Sequence, residues 1–173
     1  YKLCDYKPAY GEVFQQYIKE YEFWGHCDSD IIWGNLFRFI NNDMLDDFDR
    51  IYNLGHLTLY RNNEIMNCIY KEKFPYRDCI SYKYAFTTNF VMAFDEVGTK
   101  YGYGISEVCK RTGVKQYLSI DFADTIPFSY NFKLANLNHN TITYFEYRDG
   151  KVIGYDGSRE REFAYIHLQK RLM

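Results

Sequence analysis

The chain has 173 residues, long enough for one ordinary domain with its own core, and its 47% hydrophobic and 25% charged content excludes the disordered class. A formal net charge of -2 supplies no basic field for a nucleic-acid backbone, so nucleic acid is not an expected partner. No run is apolar for long enough to cross a membrane. Aromatic residues reach 20%, with 19 Tyr and 14 Phe, a composition that suits a core and equally suits sugar-facing grooves. Cys4, Cys27, Cys68, Cys79 and Cys109 are odd in number and form no C-x-x-C pair. They are expected to be buried free thiols of a reducing compartment, with no disulfide framework or thiolate zinc site.

In chain order, Lys7-Pro8 opens the first helical pattern, with Val13, Phe14, Tyr17, Ile18 and Tyr21 at helical spacing. Phe23 to Cys27 reads as a strand, and Asn35 to Asn41 as a short helix with Leu36, Phe39 and Ile40 on one face. Asn42-Asp43 can cap a second short helix through Asp49. Gly55-His56 is a loop element before the strand Leu57 to Tyr60, and Asn62 or Asn63 can cap a helix through Tyr70. The stretch from Lys73 to Tyr84 is irregular. A helix starts at Gly104-Ile105 and ends at Gly113; Lys115 to Ile120 reads as a strand, and 121–140 carry few signals. Thr141 to Tyr147 and Val152 to Tyr155 form a hairpin around Asp149-Gly150, and Phe163 to Leu168 is a last strand. Helices and strands alternate early and antiparallel strands close the chain. The expected class is therefore α/β with a mixed sheet flanked by helices, in a single domain over 1–173.

The chemistry concentrates at Phe23-Trp24-Gly25-His26-Cys27-Asp28-Ser29-Asp30, where a strand ends in two carboxylates one residue apart. Such a pair can hold a hard divalent cation, Mn²⁺ or Mg²⁺, with substrate phosphates completing its coordination. Two solvated acids in a turn are the competing reading. No G-x-G-x-x-G or Walker pattern is present; Gly98, Gly102 and Gly104 are too loosely spaced to cradle phosphate.

Asp28-Ser29-Asp30-Ile31-Ile32-Trp33-Gly34-Asn35-Leu36 resembles the D-x-D-x-(I/V)-x-x-G-x-L stretch of metal-dependent GT-A glycosyltransferases. Further blocks are similar to those of a bacterial GT-A-like family associated with surface polysaccharide synthesis. They are Lys2 to Gly11, Phe23 to Asp30, Gly55 to Tyr60, Phe94-Asp95-Glu96 and Tyr165-Ile166-His167-Leu168-Gln169-Lys170-Arg171.

The resemblance implies a GT-A-like fold and a hexosyltransferase-type activity moving a sugar from a nucleotide-sugar donor to a glycan or lipid-linked sugar acceptor. In such proteins a nucleotide-binding βαβ half precedes the Lys7-Pro8 helix, so this chain is expected to be the C-terminal part. Asp30 would ligate the metal, Asp28 the metal or the donor ribose, and His167 would complete the site. Lys170 or Arg171 would hold the diphosphate, although His167-x-x-Lys170 matches only part of the longer H-x-x-G-x-x-K-P-W pattern. Asp95 or Glu96 would contact the acceptor or act as its base, and Gly55-His56 would form a tight turn beside the donor sugar. The implied location is the cytoplasm, with the inner face of the cell membrane as the setting for a lipid-linked acceptor. A nucleotidyltransferase of related fold and a non-catalytic sugar-binding or assembly module are the alternatives.

Overall fold

A computed structural model describes residues 2–72, 78–129, 131–138, 141–157 and 159–169. The protein is mixed α/β, with short helices and several small sheets, two of which combine parallel and antiparallel neighbours. It divides into two compact units, Tyr1–Cys27 with Met44–Leu118, and Asp28–Asp43 with Ser119–Met173. Among the described residues, no helix is long and apolar enough to cross a membrane.

The first unit is built on a four-stranded sheet in the order Phe23–Cys27, Leu57–Arg61, Arg50–Leu54, Gln116–Tyr117, the last joining in parallel. Alternation along Phe23–Cys27 buries Trp24 and His26 and leaves Cys27 outside. Trp24 stacks on Tyr60, with ring centroids 4.6 Å apart, and donates its indole N–H to Asn67 Oδ1 at 2.7 Å. Arg50 stands opposite Tyr60 in register, its guanidinium 5.3 Å from the ring centroid, and donates to Gln116 Oε1 at 3.1 Å. A second core gathers Ile69, Ile80, Ala85, Met92, Phe94, Ile105 and Val108.

Local signals succeed in this unit where side chain and backbone meet within one turn. Asn63 caps Glu64–Cys68 by accepting from Met66 N at 2.8 Å, and Ile105–Arg111 follows Gly104. They fail where distant groups intervene. Pro8 lies inside a 3₁₀ helix, Lys2–Ala9, instead of opening an α-helix. The buried Asp5 carboxylate in that segment accepts the backbone N–H of Met92 and Phe94, at 3.0 Å each, a tertiary anchor invisible to helical periodicity. The helix after Asn42 stops at Asp47, because Asp49 N donates to Lys115 O at 2.9 Å and leads into the sheet.

Among the described residues, the second unit holds three small sheets around Ala123, Leu134, Ile142, Val152, Phe163, Ile166 and Leu168. The hairpin Tyr144–Arg148 with Lys151–Asp156 turns at Asp149 (φ 51°) and Gly150 (φ 75°), the left-handed pair that a tight Asp-Gly turn uses. Two strand expectations are corrected. Thr141–Ile142 pairs with Phe132–Lys133 and is separate from the hairpin. The run Phe163 to Leu168 is split: Phe163 ends Arg159–Phe163, and Tyr165–His167 enters another sheet between Ile31–Trp33 and Ala123–Asp124. Gly34 permits that crossing, since a Cβ there would lie 2.6 Å from the Phe163 carbonyl oxygen.

The cysteines are free, as expected, but only Cys109 is fully buried. Cys27 is exposed because strand alternation gives the inward positions to Trp24 and His26.

Candidate metal centre

Asp28 and Asp30 lie on the short link from Phe23–Cys27 to Ile31–Trp33. Ile31 stands opposite His167 in antiparallel register, and Leu168 N donates to the Asp30 carbonyl at 3.0 Å, which places Asp30 opposite Leu168, one position beyond His167. His167 Nε2 is 3.5 Å from Asp30 Oδ1 and 3.8 Å from Asp28 Oδ2. One ligand atom from each of the three residues falls within 4.8 Å of the other two. Neighbouring ligands on an octahedral cation with bonds of about 2.1 Å lie about 3 Å apart, so a small contraction would close the set.

On its other edge His167 Nδ1 is 2.8 Å from Asp124 Oδ1, which also accepts from Gln169 Nε2 at 2.7 Å. Thr125 donates to the His167 carbonyl through its N–H at 3.0 Å and its hydroxyl at 2.9 Å. The Asp124 amide donates to Asn136 Oδ1 at 3.2 Å, and Asn136 Nδ2 to the Phe122 carbonyl at 2.7 Å. Two carboxylate oxygens and one imidazole nitrogen thus come within ligand distance of one another. This mixed O/N set is one that could hold a divalent cation such as Mn²⁺ or Mg²⁺. Side-chain exposure rises from 11% at His167 through 23% at Asp30 to 39% at Asp28, so the centre opens on the Asp28 side.

The whole sequence, residues 1–173, matches a family of unknown function (DUF6625). The chain belongs to that family. No curated protein and no solved structure matches it.

In this DUF6625 chain, Gly55, His56, Asp95 and Glu96 all lie in the first unit. Gly55-His56 is the two-residue tip of the hairpin Arg50–Leu54 with Leu57–Arg61, and both residues are buried. Gly55 N donates to Glu96 Oε1 at 2.5 Å. Its carbonyl accepts from Lys7 Nζ at 2.7 Å and from His26 Nδ1 at 3.2 Å. Lys7 Nζ is 3.6 Å from Asp95 Oδ2. A Cβ on residue 55 would lie 2.5 Å from Asp95 Oδ2 and 2.7 Å from Glu96 Oε1, so any larger residue there would have to displace the two acid side chains.

Burial, and next the Glu96 charge, push the Asp95 carboxyl up to about 7. Burial, with Lys7 and Arg50 nearby, lowers His26 to about 3, so its imidazole is neutral. A carbonyl only accepts, so His26 carries its hydrogen on Nδ1. Cys4, Asp5 and Asp95 also bring ligand atoms within 4.8 Å of one another, but they make a poor metal set. Burial holds the Cys4 thiol up at about 11, and Asp5 is already satisfied by Lys2 Nζ at 2.8 Å and the Met92 and Phe94 amides.

Lys170 and Arg171, expected to hold the diphosphate, lie outside the described residues. Sequence reasoning did not single out Asp124 or Lys7 and assigned His26 no role. A signal for Asp124 existed: Phe122-Ala123-Asp124 repeats the pattern of an apolar stretch ending in an acid that marks Asp28.

Proposed function

We propose that this chain carries the donor-metal centre of a divalent-metal-dependent glycosyltransferase with a GT-A-like fold. Asp28, Asp30 and His167 would hold Mn²⁺ or Mg²⁺, the donor being a nucleotide sugar and the acceptor a glycan or lipid-linked sugar. The observation that carries the reading is the convergence of Asp30 Oδ1, Asp28 Oδ2 and His167 Nε2 from two separate stretches of chain. A cation held there neutralises charge developing on the departing nucleoside diphosphate.

The chain's own residues divide the work. Asp30, fixed through its backbone carbonyl to Leu168, and His167, embedded in the sheet, form the rigid side of the centre. Asp28, the most exposed of the three, borders the side from which phosphate oxygens can approach. Two carboxylates next to a diphosphate would repel it without a cation between them, so donor binding should require metal.

The test is a calorimetric titration of Mn²⁺ into the protein, followed by a screen of nucleotide sugars for release of nucleoside diphosphate. Wild type should bind the ion, Asp30→Asn should bind it at least about tenfold more weakly, and turnover should occur only with metal present. A folded, metal-loaded protein that releases nucleoside diphosphate from no donor would overturn the reading.

A further inference from the structure

His167 and Asp124 occupy matched positions on adjacent parallel strands, Tyr165–His167 and Ala123–Asp124. Their side chains meet at 2.8 Å on the edge of the imidazole facing away from Asp28 and Asp30. A carboxylate accepts and cannot donate, so in the neutral ring the Nδ1 atom carries the hydrogen and Nε2 carries the lone pair. The contact therefore selects one tautomer and aims its lone pair at the two acids.

Asp124 is itself held. Gln169 Nε2 donates to the same oxygen at 2.7 Å, and its backbone N–H is taken by Asn136. Its side chain is 13% exposed, and the backbone carbonyl of His167 is tied to Thr125 by two donors.

We propose that Asp124 is a positioning residue of the metal centre: it holds His167 with its hydrogen on Nδ1 and presents Nε2 as the ligand that makes the site prefer Mn²⁺ to Mg²⁺. The assignment rests on the metal-centre reading above and names the residue behind its one nitrogen ligand. The ion preference follows from ligand chemistry. Imidazole adds affinity for Mn²⁺ and little for Mg²⁺, and a carboxylate behind the ring raises its basicity. Asp28 and Asp30, all-oxygen ligands, serve both ions and do not depend on Asp124.

The experiment measures Mn²⁺ and Mg²⁺ affinity of wild type, Asp124→Ala and Asp124→Asn by calorimetry, with the His167 ring tautomer read by nitrogen NMR in the metal-free protein. Wild type should show the Nδ1–H form and bind Mn²⁺ more tightly. Asp124→Ala should lose about 10- to 100-fold in Mn²⁺ affinity with Mg²⁺ affinity nearly unchanged, and its ring should leave the pure Nδ1–H form. Asp124→Asn, which keeps an acceptor oxygen, should fall between the two. Equal losses for both ions, unchanged Mn²⁺ affinity in Asp124→Ala, or an Nε2–H ring in wild type would each overturn the assignment. These readouts do not involve sugar transfer. A protein that binds Mn²⁺ as described but processes no nucleotide sugar would leave Asp124's role standing and sink the transferase reading.

Discussion

The amide of Gly55 donates to the carboxylate of Glu96 at 2.5 Å across 41 residues of sequence, while the carbonyl of the same glycine takes the Lys7 ammonium. A hairpin tip is usually solvated, because water satisfies its backbone at little cost. Here three side chains from three separate segments replace that water, and the acid oxygens lie so close that a Cβ at residue 55 would push them aside.

Glu96→Gln should therefore be mild and Glu96→Ala severe. The glutamine retains an oxygen that accepts from Gly55 N, whereas alanine leaves a buried N–H unpaired, at a cost of about 1–3 kcal/mol. Urea unfolding of both variants checks this. Equal destabilisation by the two would show that charge, and not acceptance, is what the turn requires.

Asp95 and His26 give stability a pH signature. Asp95 is raised from 3.8 to about 7, so between those values the folded state binds more protons than the unfolded one, and stability falls as pH rises. His26 is lowered from 6.5 to about 3, so the unfolded state binds more protons there, and stability falls as pH drops. The two slopes oppose each other between about pH 4 and about pH 6.5. Relative to wild type, Asp95→Asn should lose stability more steeply on acidification through this window, and His26→Gln should lose it less steeply. Urea midpoints measured across the window decide; parallel curves for all three proteins would contradict both assignments.

Gly34→Ala should disturb the candidate metal centre without altering Asp28, Asp30 or His167. The new Cβ would meet backbone, 2.6 Å from Phe163 O and 3.1 Å from Ala164 O, neither of which can rotate away. The strands Ile31–Trp33 and Tyr165–His167 must then separate, carrying Asp30 from His167. The expected outcome is a stability loss of about 1–3 kcal/mol and weaker Mn²⁺ binding. Retention of wild-type Mn²⁺ affinity would show that the strand pairing does not set the Asp30–His167 distance.

Metal should stabilise the fold. An ion that binds only the native state adds about 2.7 kcal/mol at a hundredfold excess over Kd. Thermal melting of wild type should rise with saturating Mn²⁺, fall back with chelator, and respond far less in Asp30→Asn. An unshifted melt in wild type would argue against a native-state ion site at Asp28, Asp30 and His167.

The sequence by itself identified the places where local chemistry is decisive. The strand Phe23–Cys27 running into Asp28 and Asp30, the Asn63 cap, the helix Ile105–Arg111 and the Asp149-Gly150 turn each depend on residues within a few positions of one another. Those signals are alternation, side-chain caps and left-handed turn residues, and a linear reading detects them.

Tertiary structure alone decided which distant groups meet. Asp124 sits on a two-residue strand with almost no periodic signal, yet parallel pairing places it beside His167, 43 residues away. Lys7 reads as an ordinary helix-start lysine until its ammonium is found on the Gly55 carbonyl. The physical reason is register: sliding a strand pair by one residue turns every side chain to the opposite face. Spacing could mark Asp28 and Asp30, and the resemblance His167, as candidate ligands, but only the pairing of Ile31–Trp33, Tyr165–His167 and Ala123–Asp124 makes them converge, with Asp124 behind them.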